Sequence, residues 1–228
     1  MEEGKQGFDR RLIVLAVFAL VAVGVVGAIL ISRSGSGDDS SGTSGAEGCE
    51  EVETPQPKTV GFKAPKQVLA KGEDATAVVK TSCGTFEIAL DTQRAPKTAN
   101  SFAFLAEEGF YDELTFPRIV PEFVIQGGSP ENTTNGDPGY SIVEKPPANL
   151  AYTKGVVAMA KTGAEPPGTS GSQFFVVTGA DAGLPPEYAL VGKVSKGMSV
   201  VERIGALGTP EETPKQTVLI DEISIEKG

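Results

Sequence analysis

Residues 116–128 read FPRIVPEFVIQGG, a mostly apolar run that contains one arginine and one glutamine and ends in two glycines. Burying Arg118 or Gln126 costs free energy unless a partner pairs with it. As a strand, the run would alternate its side chains between two faces, with Arg118, Val120, Glu122, Val124 and Gln126 on one and Ile119, Pro121, Phe123 and Ile125 on the other. A bulge or turn at Pro121 would reset that alternation. The run therefore predicts either a core strand whose arginine reaches solvent or the polar side of a functional groove.

The composition limits the chemistry that this chain can perform. It has 228 residues, a formal net charge of −10, no histidine and only two cysteines. The negative charge argues against nucleic acid as a partner. The lack of histidine excludes Ser-His-Asp and Cys-His nucleophiles and His-ligated zinc, and two cysteines cannot form a four-cysteine zinc site. We therefore expect no metal and no cofactor, so catalysis must use Arg, Lys, carboxylates, hydroxyls, amides or the shape of a pocket.

The N-terminal segment predicts a membrane anchor. Residues 12–31 are an uncharged run of 20, the length that crosses the hydrocarbon core as a helix. Lys5, Arg10 and Arg11 precede it, and this bias places residues 1–11 in the cytoplasm and the rest beyond the membrane. A cleaved signal peptide is the alternative, although the apolar run is long for one and no convincing cleavage site precedes the polar tract. Either interpretation places the remainder outside the cytoplasm, and the anchor makes this a single-pass protein of the cell membrane.

Residues 32–72 are expected to form a flexible tether followed by an extended arm. They are rich in Ser, Gly, Asp, Pro and Lys and contain few apolar residues, so they cannot bury a core of their own. Cys49 lies in the arm and Cys83 near the start of the folded region. In an oxidising compartment these two cysteines indicate one disulfide that pins the arm to the domain, and two unpaired thiols are the alternative.

Residues 73–228 predict a mainly β domain. Apolar residues at helical spacing predict one helix after Pro96 and another over 199–207, and alternating or β-branched runs predict strands at 75–80, 84–90, 155–160, 172–178, 188–194 and 218–225. The last run changes phase near Asp221 and Glu222, which predicts a β-bulge. The loop at 129–149 is long enough to suggest a functional surface. Many short strands and two helices indicate an antiparallel sheet closed or nearly closed into a barrel, with helices covering its ends.

Three segments in this order resemble the cyclophilins: residues 116–128, the strand at 155–160, which reads GVVAMA, and residues 170–175, which read SGSQFF. The helix after Pro96 fits the same family. The resemblance begins near Thr76 and runs to the C-terminus. Combined with the predicted anchor, it implies a membrane-anchored bacterial member of the family. It implies a closed eight-stranded antiparallel β-barrel capped by two α-helices. It also implies cis–trans isomerisation of X-Pro peptide bonds.

The same resemblance implies roles for individual residues. Arg118 would be the catalytic arginine, with Gln126 acting beside it. The residues expected to bind substrate are Phe123, Val124 and Phe175 around the proline, Gln173 near the substrate backbone, Ala160 and Lys161 through their backbones, Leu184 at the pocket side and Tyr188 as an aromatic wall.

Four positions depart from the family pattern. Pro117 stands where the family has His, Lys161 where it often has Asn, and Tyr188 where it has a pocket His, and the family's pocket-edge Trp falls in residues 182–184, which contain none. Pro117 removes a backbone donor and stiffens the chain before the arginine, whereas Tyr188 keeps an aromatic wall and a hydroxyl. We expect reduced but real isomerase activity and weak binding of cyclosporin-type inhibitors.

The leading hypothesis is a monomeric, membrane-tethered prolyl isomerase that helps exported or envelope proteins to fold, with X-Pro-containing polypeptides as partners. The second is a binding module that recognises proline-containing segments of a cell-envelope protein with little or no turnover. The third is a structural envelope protein in which the acidic surface matters more than the pocket.

Overall fold

The computed structural model describes residues 48–228. The predicted cytoplasmic segment 1–11, the predicted transmembrane helix 12–31 and the first part of the predicted tether lie outside the described residues. Within residues 48–228, neither helix combines the length and the apolar character needed to cross a bilayer.

The described part of the chain is mainly β, as predicted. It contains two helices and eleven strands, in the order β1 (Ala75–Thr81), β2 (Gly84–Leu90), α1 (Pro96–Glu107), β3 (Leu114–Thr115), β4 (Arg118–Val120), β5 (Val124–Gly127), β6 (Ile142–Val143), β7 (Val156–Met159), β8 (Thr169–Ser170), β9 (Phe174–Val177), β10 (Leu190–Lys196), α2 (Met198–Gly205) and β11 (Leu219–Lys227). Both predicted helices are therefore confirmed, and Pro96 opens the first of them, where its missing N–H costs nothing.

Nine of these strands form one curled antiparallel sheet, in the order β3-β11-β1-β2-β10-β7-β9-β5-β4. The prediction of a closed barrel of eight strands was wrong in its strand number, because this sheet has nine strands. It was also wrong about closure, because the hydrogen-bonded order ends at β3 and β4. These two edge strands follow each other in the chain, and Pro117 between them has no N–H to donate. Instead, the amide of Phe116 donates to the Val218 carbonyl and that of Ile119 to the Glu212 carbonyl.

The run at 116–128 is a hairpin and not one continuous strand. Arg118 pairs with Gln126 and Val120 with Val124 across β4 and β5. The Phe123 amide donates to the Val120 carbonyl at 3.1 Å, and Glu122 has a φ of 56°, a left-handed turn conformation. The turn after Pro121 thus resets the alternation, and it places Arg118 and Gln126 side by side across the ladder.

The predicted bulge in the last strand is confirmed. Lys80 of β1 faces Glu222 and the next residue, Thr81, faces Ile220, so Asp221 is the extra residue on β11. This insertion accounts for the change of phase in the sequence.

Alternation along the central strands divides the apolar residues between the two faces of the sheet. Phe174 and Val176 of β9 belong to the main core, together with Phe102 of α1. Phe175 and Val177, their neighbours in sequence, belong to a second cluster on the opposite face. This second cluster carries the pocket described below.

The described part of the arm, residues 48–72, lies against the domain. Cys49 and Cys83 form a disulfide. Further along, the Asn100 side-chain oxygen accepts the amides of Val68 and Leu69 at 2.7 and 2.9 Å. The ring of Phe62 meets that of Phe104 edge to face, with centroids 5.3 Å apart. Covalent, polar and apolar contacts therefore hold the arm at separate points along its length.

Candidate active site

The register of the sheet places the predicted catalytic and pocket residues in one row. Arg118 of β4 faces Gln126 of β5, Gln126 faces Phe175 of β9, and Phe175 faces Ala158 of β7. Directly paired residues project from the same face of a sheet and lie close together. Arg118 and Gln126 of one hairpin therefore stand side by side with Phe175, which comes from a distant part of the chain.

This row forms one wall of a pocket of about 300 Å³, a volume suited to a small apolar group. Nine of the ten residues predicted from the resemblance to act in catalysis or substrate binding line it, namely Arg118, Phe123, Val124, Gln126, Ala160, Lys161, Phe175, Leu184 and Tyr188. Gln173 lies in an adjoining pocket of about 290 Å³ that shares Gln126, Ala160 and Lys161 with the first. The structure thus brings the predicted residues together around two connected pockets.

A chain of hydrogen bonds forms the polar side. Arg118 Nη1 donates to Gln126 Oε1 at 3.2 Å, and Gln126 Nε2 donates to Gln173 Oε1 at 3.0 Å. Gln173 Nε2 in turn donates to the carbonyls of Thr134 and Gly136 at 3.2 and 3.0 Å. The two glutamines therefore fix one edge of the guanidinium relative to the loop at 129–149.

Glu212 holds the other edge of that guanidinium. Arg118 Nε donates to Glu212 Oε2 at 2.7 Å, across 94 positions of sequence. The sequence analysis missed this carboxylate, because a single glutamate in a polar loop carries no periodic or motif signal.

Aromatic rings form the apolar side. The Phe175 and Tyr188 rings meet edge to face with centroids 5.5 Å apart, and Tyr152 packs against both. The Tyr152 hydroxyl donates to the Tyr188 carbonyl at 2.6 Å and accepts the Tyr188 amide at 2.9 Å. Tyr152 therefore fixes the backbone of the pocket wall. It is a second residue that the sequence analysis missed, since a lone tyrosine in a loop has many equally plausible roles.

Replacing Tyr152 with Phe should destabilise the protein by about 1–3 kcal/mol, because the partly buried amide and carbonyl of Tyr188 lose their partner. Burial raises the pKa of Tyr152 to about 12, from an ordinary value of 10.0. The unfolded chain therefore loses this proton at a lower pH than the folded chain, so the wild type loses stability as the pH rises from about 10 to 12.

Denaturant unfolding of wild type and Tyr152→Phe at neutral pH and at pH 11 tests this expectation. The stability difference should shrink at the higher pH, since phenylalanine cannot ionise. Tyr188→Phe is the matched control, because within residues 48–228 its hydroxyl makes no hydrogen bond. Equal stability of the wild type and Tyr152→Phe at neutral pH would contradict the assigned role.

The side chain of Lys161 is only 4% exposed and closes one end of the pocket. Its ammonium group donates to the carbonyls of Thr162 and Glu165 at 3.2 and 3.3 Å and lies 3.5 Å from a Glu187 carboxylate oxygen. The same group lies 5.5 Å from the centre of the Tyr188 ring. This pairing satisfies the charge and leaves the alkyl stem as part of the pocket wall.

The backbone contact expected of Ala160 is limited to its carbonyl. Its amide already donates to the Gln173 carbonyl at 2.8 Å, and so it is not available to a substrate.

The hairpin turn that presents Phe123 is held in place by the two residues that follow β9. The Phe123 carbonyl accepts the amide of Thr178 at 2.9 Å. Gly179 follows, and a Cβ at that position would collide with the Glu122 carbonyl. Only glycine allows the two segments to approach this closely.

No candidate metal site lies in the part of the chain that the structure describes. Residues 48–228 contain no group of three or more His, Cys, Asp or Glu side chains that could hold an ion.

Known proteins that are similar to this chain point to the same kind of enzyme as the geometry of the pocket. A family model described as cyclophilin type peptidyl-prolyl cis-trans isomerase/CLD matches residues 76–225. The peptidyl-prolyl cis-trans isomerase-like 1 of Neurospora crassa is 40% identical over 138 residues, which are 59% of this chain and 83% of that protein. A peptidyl-prolyl cis-trans isomerase of Schizosaccharomyces pombe is 37% identical over 139 residues, 59% of this chain and 88% of that protein. Both relatives are fungal, and they do not support the expected membrane-anchored bacterial type.

Solved structures show the same fold. A cyclophilin type peptidyl-prolyl cis-trans isomerase of Cryptosporidium parvum superposes with a TM-score of 0.62 at 27% identity, covering 68% of this chain and 99% of that one. A structure of that protein determined in the presence of the dipeptide Ala-Pro gives a TM-score of 0.61 at 26% identity, with 67% and 99% covered. Because the family model spans about two thirds of the sequence, the chain belongs to the cyclophilin-type peptidyl-prolyl cis–trans isomerases.

Proposed function

We propose that this isomerase acts on polypeptides exported from the cytoplasm, with Arg118 as its catalytic group and residues 12–31 as its anchor in the cell membrane. The observation that carries the catalytic assignment is the row of Arg118, Gln126 and Phe175, which brings a guanidinium to the edge of an apolar pocket. The substrates are X-Pro-containing segments, and the protein acts as a monomer.

The chemistry follows from the electronic structure of the X-Pro bond. Its nitrogen shares a lone pair with the carbonyl, which gives a rotational barrier of about 20 kcal/mol. In the twisted transition state this sharing is broken and the lone pair is localised on nitrogen. A guanidinium that donates to this nitrogen, or to a neighbouring carbonyl, binds the twisted state more strongly than either planar state and lowers the barrier.

The pocket supplies the two parts of this mechanism. Phe123, Phe175 and Leu184 enclose the proline ring in apolar surface while the preceding carbonyl turns. Arg118 donates to Glu212 through Nε and to Gln126 through Nη1, and its Nη2 group donates to no residue within 48–228. Nη2 is therefore the nitrogen whose donors are both available to the substrate, and the mechanism requires no nucleophile, metal or histidine.

An assay on the full-length chain tests the catalytic proposal. A protease-coupled assay with an X-Pro peptide should show turnover above the uncatalysed rate but below that of a cyclophilin with the family's His and Trp. The second candidate, a binding module without turnover, is favoured by Pro117 beside the catalytic arginine. In that case Ala-Pro dipeptides would shift the NMR signals of Phe123 and Phe175 while the isomerisation rate stayed at the uncatalysed value.

Two features support a location outside the cytoplasm. The apolar run at 12–31 has the length and flanking charges of an anchor with a cytoplasmic N-terminus. Cys49 and Cys83 form a disulfide, a bond that persists mainly in oxidising compartments. Exported chains emerge there unfolded, and proline isomerisation takes tens of seconds without a catalyst.

In cells that express the full-length chain, the domain should stay in the membrane fraction after an alkaline wash, because an apolar helix of this length is effectively irreversibly inserted. Protease added outside cells stripped of their wall should digest the domain, with a cytoplasmic enzyme as the protected control. Digestion only after the membrane is permeabilised would contradict the location. Recovery of the domain in the wash would contradict the anchor.

A further inference from the structure

The catalytic arginine is bound by a carboxylate from a distant loop. Glu212 lies between α2 and β11, and its Oε2 accepts Arg118 Nε at 2.7 Å. The Arg118 side chain is 26% exposed and that of Glu212 is 51% exposed. The two side chains therefore meet beside the proline pocket, which Arg118 lines and Glu212 does not.

The loop holds the backbone of Glu212 in a defined position. Glu212 has a φ of 64°, in the left-handed region. Its amide donates to the Thr209 carbonyl at 3.0 Å, and its carbonyl accepts the Ile119 amide at 2.9 Å. Thr209 and Thr213 are joined by a backbone bond of 2.9 Å and a hydroxyl contact of 3.1 Å. The loop is thus tied both to itself and to β4, the strand that carries Arg118.

Together Glu212 and Gln126 determine the direction of the guanidinium. The group is planar and its donors are arranged as a rigid fork, so fixing Nε and Nη1 also fixes Nη2. Without these two hydrogen bonds, the Arg118 side chain would sample many rotamers, and few of them direct a donor into the pocket. Ordering before the substrate arrives removes that entropic cost from the transition state.

We propose that Glu212 is a positioning residue for the isomerase, which fixes Arg118 so that its Nη2 edge faces the substrate amide. This inference rests on the catalytic role proposed for Arg118 and adds a residue to it. Glu212 could also have the opposite effect and lower the activity, since a carboxylate reduces the positive charge of the site. Glu212 is half exposed, and water and salt screen its charge. Its hydrogen bond fixes orientation whether or not the charge is screened.

The test compares Glu212→Ala and Glu212→Gln with the wild type in the full-length chain. Glu212→Ala should lower kcat about tenfold with little change in KM, because the pocket still binds proline while the donor is misdirected. Glu212→Gln should recover most of the activity, since an amide oxygen accepts the same hydrogen bond. Glu211→Ala removes a carboxylate from the same loop that makes no hydrogen bond within residues 48–228, and it should retain wild-type kcat.

A direct readout separates positioning from general loosening. The NMR signal of the Arg118 Nε–H should exchange slowly with water in the wild type and in Glu212→Gln, and rapidly in Glu212→Ala. Thermal unfolding of each variant shows whether the fold is retained, and Glu212→Gln keeps the test decisive if Glu212→Ala is destabilised.

The outcomes for Glu212 and for Arg118 are distinguishable. If the wild type is active and Arg118→Ala is not, but Glu212→Ala has wild-type kcat or a higher one, then positioning is overturned and the role of Arg118 stands. If Arg118→Ala is as active as the wild type, the catalytic proposal itself fails. In the Arg118→Ala background, Glu212→Ala should have no further effect, and an additional loss of rate there would also overturn positioning.

Discussion

Arg118→Ala is expected to lower kcat/KM for an X-Pro peptide by roughly 10²–10³-fold, the loss typical of removing one donor that acts mainly in the transition state. The substitution leaves the apolar pocket in place, so proline-containing peptides should still bind. The loss should therefore fall on kcat more than on KM. A protease-coupled assay at several peptide concentrations separates the two parameters.

The same substitution should have little effect on folding. Arg118 is partly exposed, and its partner Glu212 is half exposed and can be solvated by water after the arginine is removed. Thermal unfolding should therefore shift by no more than a few degrees. A large loss of stability would mean that the loss of activity reports on the fold and not on catalysis.

Two controls sharpen the interpretation. Arg94→Ala removes an arginine that pairs with Asp91 in the turn before α1 and does not line the proline pocket, and it should leave kcat/KM unchanged. Arg118→Lys keeps the charge but replaces the planar fork with a single ammonium nitrogen, so its donors cannot meet Glu212, Gln126 and the substrate amide in the same arrangement. Activity near that of Arg118→Ala would show that donor geometry matters, whereas wild-type activity would show that charge alone suffices.

The catalytic row was predictable from the sequence because its members lie in two short, recognisable segments. Arg118 and Gln126 stand out as polar residues in an apolar run, and Phe175 ends the distinctive SGSQFF segment. The bulge at Asp221 was predictable for a different reason, since a period-two pattern records an inserted residue as a change of phase.

The contacts that support this row were not predictable from the sequence. The Glu212–Arg118 bond joins residues 94 positions apart, and neither the spacing nor the composition of the loop at 209–213 indicates it. Tyr152 acts through hydrogen bonds to the backbone of Tyr188, which depend on the final positions of two loops. Barrel closure also depends on whether the backbone amides of the two edge strands, β3 and β4, bond to each other or elsewhere. The pattern of apolar residues in the sequence does not contain that information.

Removing the disulfide by Cys49→Ala together with Cys83→Ala should destabilise the protein by about 3–4 kcal/mol. The bond closes a segment of 34 residues, and a cross-link of that span restricts the unfolded chain by roughly this amount. Both cysteines are buried, so alanine avoids leaving an unpaired hydroxyl at either position. For a domain of this size the melting temperature should fall by about 7–15 °C.

A reducing agent supplies the matched control without any substitution. Reduction should lower the melting temperature of the wild type by a similar amount and leave the double variant unchanged. The proline pocket contains neither cysteine, and Asn100 and Phe62 still hold the arm after the bond is lost. Isomerase activity at 25 °C should therefore persist in both reduced and substituted protein. A melting temperature that does not change with reductant would contradict the stabilising role of the disulfide. Free thiols in protein isolated from its native membrane would contradict the proposed oxidising location.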